Sequence, residues 1–485
     1  MSKYFTYRSR EEFIDDLQSA GAPIALSSDY SPLFAPIQIG NRSAKNRFAI
    51  HPMEGCDGTS DGRPAELTIR RYQRFAQGGC AIIWGEATAV REEGRMNTRQ
   101  LWINNSNWED FARMLEQSRR DHAENWGNGD GFLFGLQLTH SGRYCYGRPL
   151  IPQRDPGLDP ATFLDPITKT KPIPADYPVL TDDYLKSLED DFISAAELAY
   201  RAGFDFVDIK QCHRYLLSEL LASHNREGEY GGSYENRTRF VKNVIGRIRD
   251  RLPHLMIASR INVFDGVPYV KDSDTGRGKP RQHSIPFRHG WGTDQENPLK
   301  PDLREPLKLV SELRDLGVSL LSVSMGSPYS SPHYLRPADT PPLDGYHAPE
   351  HPAIGSRRHF DATGEFQRAF PEMVVLGAGY SWLQWLMCDA AAANISAGNG
   401  QVAGFGRAAI AYPDFVRDLM NEGTMVKTKV CVTVSYCTAL MRFKHNADLQ
   451  YATGCAVRDK YYAELYKTGN RAYKALIAEK EASKS

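Results

Sequence analysis

Lys210, His213 and Tyr215 sit within six residues of one another in GFDFVDIKQCHRY, just past the apolar run Phe204–Ile209. An apolar run of that length between helical patterns reads as a strand covered on both faces, so polar groups gathered past its carboxyl end point to a site. An ammonium on a flexible stem can polarise a carbonyl, or pair with a carboxylate, a phenolate or a developing enolate. The plainer alternative is that Tyr215 is packed and the other two are solvated. Gln137 and Arg260 close two other apolar runs. An amide and a guanidinium converging on one place can hydrogen-bond the edge of a planar heterocycle, and a cation beside an electron-accepting ring stabilises its reduced anion. For Arg260 the competing reading is a neighbouring carboxylate partner. Gly377 and Gly379 follow one late run, and Gly406 and Arg407 follow another. Glycines let backbone N–H groups approach an anion at a helix start, and an arginine fork adds two charge-assisted bonds.

Such residues need a frame that brings many strand ends together. Eight short runs qualify as strands: Arg47–Ile50, Ala81–Gly85, Phe132–Leu138, Phe204–Ile209, Leu255–Ile261, Ser319–Val323, Met373–Gly377 and Gln401–Phe405. Between them lie helical patterns at 66–76, 108–124, 182–201, 235–250, 305–316 and 380–394. The 182–201 segment puts Leu185, Leu188, Phe192, Ala195, Ala196, Ala199 and Tyr200 on one face and stops at Gly203. Alternation of this kind implies parallel strands with right-handed crossovers, and eight units favour a closed (β/α)8 TIM barrel, an α/β fold, with the site at the carboxyl ends of its strands. The expected organisation is an N-terminal extension over 1–30, a barrel over 31–425 with a Pro-, Gly- and charge-rich excursion at 267–303 after the fifth strand, and a C-terminal extension over 426–485.

Composition narrows the function. Fifty-nine basic and 59 acidic residues balance to zero, with no basic stripe to neutralise phosphates, which argues against a nucleic-acid partner. No run reaches the 18 or so apolar residues that span a bilayer, and the first ten residues lack a secretory core, so no membrane association is expected and a cytoplasmic location is. Eight cysteines in 485 residues are too few for a disulfide scaffold.

PMEGCDGTSDGRPAELTIRRYQRFAQGG, IIWGEATAV, QLTHSGR, AGFDFVDIKQCHRYLLSELLASHNREGEYGGSYENRTRF, LGAGY and GFGRAAIAYPDF occur in that order. Together they resemble the signatures of the Old Yellow Enzyme family of FMN-dependent NADH:flavin oxidoreductases, and more narrowly the branch with 2,4-dienoyl-CoA reductase and trimethylamine dehydrogenase. The resemblance covers roughly residues 31–425. It implies a barrel carrying FMN, reduced by NAD(P)H. It places the flavin ring against Pro52, Met53, Glu54, Ala87, Gln137 and Arg260, and the phosphate at Gly377, Gly379, Gly406 and Arg407. Lys210 and His213 take the positions that hold the substrate carbonyl, and Tyr215 the position of the proton donor. The implied reaction is reduction of the C=C bond of an α,β-unsaturated carbonyl compound or thioester, with a small-molecule substrate as partner and a homo-oligomer as one open state. Dehydrogenation of an amine or other substrate, with electrons passed to a carrier protein, is the alternative. A drifted, non-catalytic flavin protein is the third reading.

Three departures from the family pattern matter. Lys210 stands where relatives have imidazole, which should favour more anionic ligands, and its competing fate is a pair with Glu54. Glu54 stands where relatives carry Thr, Cys or a similar small group; a carboxylate there would lower the flavin potential or take up a proton unless a cation offsets it. Relatives of this branch also bear a four-cysteine iron–sulfur motif after the barrel. Here Cys431, Cys437 and Cys455 match three ligand places and Val434 fills the fourth, so packed, reduced thiols are expected, with a 4Fe–4S or 3Fe–4S cluster as the lesser alternative. The relatives' downstream second-nucleotide domains are not expected, since no GxGxxG fingerprint occurs. Tyr144, Tyr146 and Arg148, and also His333 and Arg336, are expected near the pocket mouth.

Overall fold

The computed structural model describes residues 4–164, 171–343, 345–443 and 450–482. Eight strands, β1 (Phe48–Ile50), β2 (Ile82–Ala89), β3 (Leu133–Thr139), β4 (Phe206–Ile209), β5 (Met256–Phe264), β6 (Val318–Met325), β7 (Val374–Gly377) and β8 (Val402–Phe405), close into a barrel. Every neighbouring pair is parallel, and β8 returns to β1 through Ala403↔Phe48 and Phe405↔Ile50. The expected TIM barrel is therefore the fold, with each of the eight runs found as a strand.

Local chemistry explains why the helices begin and end where they do. Helix α1 (Glu66–Gly78) and helix α2 (Trp108–Trp126) follow the first two strands. Helix α3 (Asp182–Ala202) starts where the Thr181 side chain accepts the Tyr184 N–H and stops at Gly203, whose φ of 95° suits a residue without Cβ. Its buried face presents Leu185, Leu188, Phe192, Ala195, Ala196 and Ala199, and each large aliphatic or aromatic side chain so covered contributes about 1.5–3 kcal/mol. Helix α4 (Tyr234–Arg251) is capped by Ser233 in the same way, and α5 (Arg304–Asp315) follows β5.

Two elements differ from the sequence expectation. A helix over Pro352–Ala369, α6, links β6 to β7, although Gly355 and Gly364 interrupt its apolar stripe. Gly355 lets it approach Pro337, where a Cβ would come within 2.8 Å of the proline ring. The single helix expected over 380–394 is instead a 3-10 segment, Tyr380–Leu386, followed by α7 (Met387–Ser396). Gln384 breaks it at φ 50°, ψ −116°, while Trp382 is locked by its indole N–H to Asp339 at 2.7 Å.

The segments outside the barrel pack onto it. The N-terminal residues Phe13 and Leu17 join the main core, with the Phe13 ring 6.3 Å from Trp382. The excursion after β5 carries a two-stranded hairpin, Tyr269–Lys271 against Gly278–Pro280. The C-terminal extension supplies α8 (Tyr436–Arg442) and α9 (Lys460–Ala482), joined by a small core of Ala439, Leu440, Phe443, Ala452 and Tyr462. Among the described residues no helix is long and apolar enough to cross a membrane.

Candidate active site

The carboxyl ends of the strands open into a cavity of about 610 Å³. Its wall gathers Pro52, Met53, Glu54, Gln137, Lys210, His213, Tyr215, Arg260, Gly379, Gly406 and Arg407, so most of the residues singled out in the sequence meet in one place. Two do not. Ala87 and Gly377 stand outside this lining: the Ala87 carbonyl is taken by Gln100 Nε2 at 2.8 Å, and a Cβ on Gly377 would press on the Tyr380 hydroxyl at 3.1 Å. Both are occupied in packing the wall.

The floor is organised by a residue the sequence reading passed over. Asp208, inside β4, accepts from Trp84 Nε1 at 2.8 Å, Gln137 Nε2 at 2.6 Å and the Arg260 backbone N–H at 2.7 Å. Burial pushes its pKa up to about 6, against the pull of these donors. The carboxylate thus orients Gln137 and the Arg260 backbone. Its signal was a charge inside the apolar run FDFVDI. Arg260 keeps an unpartnered Nε and has no ion pair among the described residues, so the carboxylate partner considered for it is not observed.

Above this floor sits a cluster of charge and phenols. Lys210 Nζ lies 3.4 Å from Glu54 Oε1 and 3.5 Å from the centroid of the Tyr215 ring. The Tyr215 hydroxyl donates to Glu54 Oε1 at 2.9 Å, approaches Met96 Sδ at 3.1 Å, and lies 3.3 Å from the Tyr329 hydroxyl. Lys210 is therefore ion-paired, the competing fate considered for it. Burial lowers the Lys210 pKa, with Glu54 opposing, and burial followed by the Glu54 charge raises that of Tyr215 well above its usual value. His213 is neutral, held down first by burial and then by Arg260 and Lys210, and its Nε2 meets Ser324 Oγ at 3.1 Å. Its backbone adopts φ 68°, a strained choice for a residue with Cβ, with its N–H on Asn262 Oδ1 at 3.3 Å.

Glu54 is aimed into this cluster by the turn that follows β1. The next N–H, of Gly55, donates to Glu86 Oε2 at 2.7 Å, and Glu86 is itself ion-paired to Arg71. Glu86 is the extra residue of a bulge between Gly85 and Ala87, which turns its side chain out of the ladder.

The opposite wall comes from loops that have no strand pattern. Tyr329 follows β6 and packs against Tyr144 with ring centroids 4.0 Å apart and the ring planes tilted by 32°. Arg336 also follows β6, while Thr438, Met441 and Arg442 come from α8. Tyr146 lines the cavity and Arg148 does not; His333 lies outside the lining with Nδ1 2.8 Å from the Tyr346 hydroxyl. Tyr329 and α8 were missed because nothing in a Ser- and Pro-rich loop or a distant short helix marks them in sequence.

The donors fit a flavin mononucleotide. Arg260 Nε and Arg407 Nη1 are buried without a partner on this cavity, and Gly379 holds φ 92° beside Gly406, where a Cβ would lie 3.5 Å from Met53 Sδ. Among the described residues no group of three or more His, Cys, Asp or Glu is placed to hold a metal ion, and burial pushes the Cys431 thiol up to about 12. Cys455 is shifted in the same direction, also by burial.

Residues 32–276, half of the chain, match the NADH:flavin oxidoreductase / NADH oxidase family model. An NADH:flavin oxidoreductase of Gibberella zeae is 28% identical over 340 residues, 65% of this chain and 74% of that protein. An NADPH dehydrogenase of a Geobacillus species is 28% identical over 323 residues, 65% of this chain and 77% of its own. Among solved structures, 2-naphthoyl-CoA reductase in complex with 2-naphthoyl-CoA superposes with a TM-score of 0.65 at 17% identity, covering 90% of this chain, which spans only 58% of that one. The Old Yellow Enzyme homologue of Zymomonas mobilis superposes with a TM-score of 0.56 at 22% identity, over 82% of this chain and 94% of its own. The chain belongs to the NADH:flavin oxidoreductase / NADH oxidase family, and is an FMN-dependent NAD(P)H oxidoreductase of the Old Yellow Enzyme type.

Proposed function

We propose that the protein uses NAD(P)H to reduce the C=C bond of an activated alkene, an α,β-unsaturated carbonyl compound or thioester. The observation that carries this reading is the Tyr215 hydroxyl, protonated by its surroundings and presented to the cavity beside a cation and a neutral imidazole. FMN, held by Pro52, Met53, Gln137, Arg260, Gly379, Gly406 and Arg407, would supply the redox chemistry, taking a hydride from NAD(P)H and returning it to the β-carbon of the alkene. His213 and Lys210 hold the carbonyl oxygen, and the positive charge of Lys210 opposes the build-up of negative charge there. Tyr215 gives its proton to the α-carbon as general acid. The phenolate left behind is disfavoured by burial and by the Glu54 charge, which the Lys210 ammonium against its ring opposes. In the resting site Glu54 accepts the Tyr215 hydrogen bond, which fixes the direction of the hydroxyl.

A second reading is oxidation of an amine. Histamine dehydrogenase from Rhizobium superposes with a TM-score of 0.62 at 19% identity, over 90% of this chain and 53% of its own, which speaks for fold alone. Oxidation of an amine fits less well, because Lys210, Arg260, Arg336, Arg407 and Arg442 all line one cavity and repel an ammonium. The test is to reduce the yellow holoprotein anaerobically with NADPH or NADH, then add cyclohexenone or an enoyl thioester. Reoxidation by the alkene is the expected result; bleaching of the oxidised protein by an amine, with no response to alkenes, would reverse the assignment.

A further inference from the structure

Seven cationic side chains line the cavity: Arg143 is paired with Asp159 and Glu219, Lys271 is exposed, and the reaction proposed above employs three of the others. Lys210 has Glu54, while Arg260 and Arg407 are positioned for the flavin. Arg336 has no such assignment. Its Nη1 donates to Thr438 Oγ1 at 2.6 Å, its Nη2 is buried with no partner, and among the described residues no carboxylate pairs with it. Thr438 belongs to α8, so the C-terminal extension fixes the direction of this guanidinium. Arg442, from the same helix, donates to the Pro328 carbonyl at 2.7 Å and lies 5.8 Å over the Tyr329 ring. Burial lowers the Arg336 pKa, and the charges of Arg442 and Arg407 lower it further, against smaller opposing contributions from Cys437 and Tyr329. Asp339, which acts on Arg407, has its oxygens engaged by the Phe5 N–H and the Trp382 indole.

We infer that Arg336, held by Thr438 and assisted by Arg442, is a subsite for a carboxylate carried by the alkene substrate itself, so that the enzyme acts on short enones or enoyl compounds bearing a second, anionic group. This inference rests on the alkene-reductase reading. Two anions besides a substrate carboxylate have the same chemistry, the flavin phosphate and the extra phosphate of NADPH. The flavin phosphate is already served by Arg407 and the glycines after β7 and β8. Arg336 follows β6, and its charge is felt at both His213 and Tyr329, the residues beside the proposed carbonyl and proton-donor positions. A group bound there shares the cavity with His213 and Tyr329 and acts electrostatically on the same site, which suits a substrate tail better than the far end of a dinucleotide.

The probes are 3-oxocyclohex-1-ene-1-carboxylate and its methyl ester, titrated into the oxidised FMN holoenzyme and read by the perturbation of flavin absorption. The wild-type protein should bind the carboxylate at least about tenfold more tightly than the ester, the size of one charge-assisted contact. Arg336→Met should abolish that preference with little change for the ester, and Arg336→Lys should restore part of it. Three results overturn the subsite: equal preference in wild type and Arg336→Met, loss of FMN in both Arg336 variants, or a loss confined to NADPH affinity with the carboxylate preference intact. Turnover is scored separately. If neither probe is reduced while the binding preference follows Arg336, the reductase reading fails and the carboxylate subsite stands.

Discussion

The two walls of the cavity handle buried charge in opposite ways. On the wall built from β3, β4 and β5, the charged and amide groups that face the substrate side are paired with a neighbouring strand or turn, Lys210 with Glu54 and Gln137 with Asp208, while Arg260 keeps an unpartnered Nε on the side proposed for the flavin. On the wall built from the β6 loop and α8, Arg336 keeps a buried donor without a partner. An unpaired buried charge is costly, whereas a paired one is close to neutral in net effect. The first wall is therefore preorganised, suited to chemistry that repeats with every substrate. The second is incomplete without an anion, suited to selecting which substrate is processed.

The strongest way to break this division is through the two tyrosines that meet across the walls. Tyr215→Phe should slow alkene reduction by roughly 10²–10⁴-fold while flavin reduction by NAD(P)H is spared, as rapid-mixing kinetics of the two half-reactions would show. Tyr329→Phe, which removes only the neighbouring hydroxyl, should cost less than about tenfold on the same step. Similar losses from both would place the proton donor between the walls rather than on the strand side.

The Lys210–Glu54 pair gives the next largest effect. Lys210→Ala strands the buried Glu54 carboxylate, and stability in urea should fall by about 3 kcal/mol, with phenolate ligands binding more weakly. Removing both side chains should recover most of that stability, the coupling expected of a pair whose members serve each other. Additive losses would show that the two groups are independent.

A smaller effect lies in the pH dependence of the strand wall. His140, after β3, is buried with Nε2 3.0 Å from the Tyr184 hydroxyl, and burial followed by the charge of Arg91 pushes its pKa down to about 3. The unfolded chain takes up this proton below about pH 6.5 and the folded one refuses it. Stability is thus lost as pH falls from 6.5 toward 3, by about 2 kcal/mol from this residue at pH 5. His140→Gln should flatten that limb of the urea-derived stability profile. The smallest expected change is electrochemical: Glu54→Gln removes a negative charge from the cavity and should raise the flavin midpoint potential by roughly 30 mV, read by anaerobic dye titration.

Strand runs separated by amphipathic helices made the barrel legible in the chain, because a period of two or 3.6 residues is a local property. Lys210, His213 and Tyr215 were legible for the same reason, lying immediately past a strand end. The kink at Gln384 and the α6 helix were not, since one is imposed by the burial of Trp382 and the other is permitted by glycines that serve packing. Asp208 could have been found as a charge within an apolar strand, but its role as a hub depends on three partners from three strands.

The sequence by itself determined the closed α/β barrel, the family and the set of residues gathered on one wall, because each follows from local patterning and contiguous motifs. Only the tertiary structure decided that Lys210 is paired with Glu54 across 156 residues of chain, and that Arg336 meets Thr438 across 102 without acquiring a countercharge. Charge pairing depends on distance in space and on exclusion of water, and neither quantity is written in the spacing of residues along the chain.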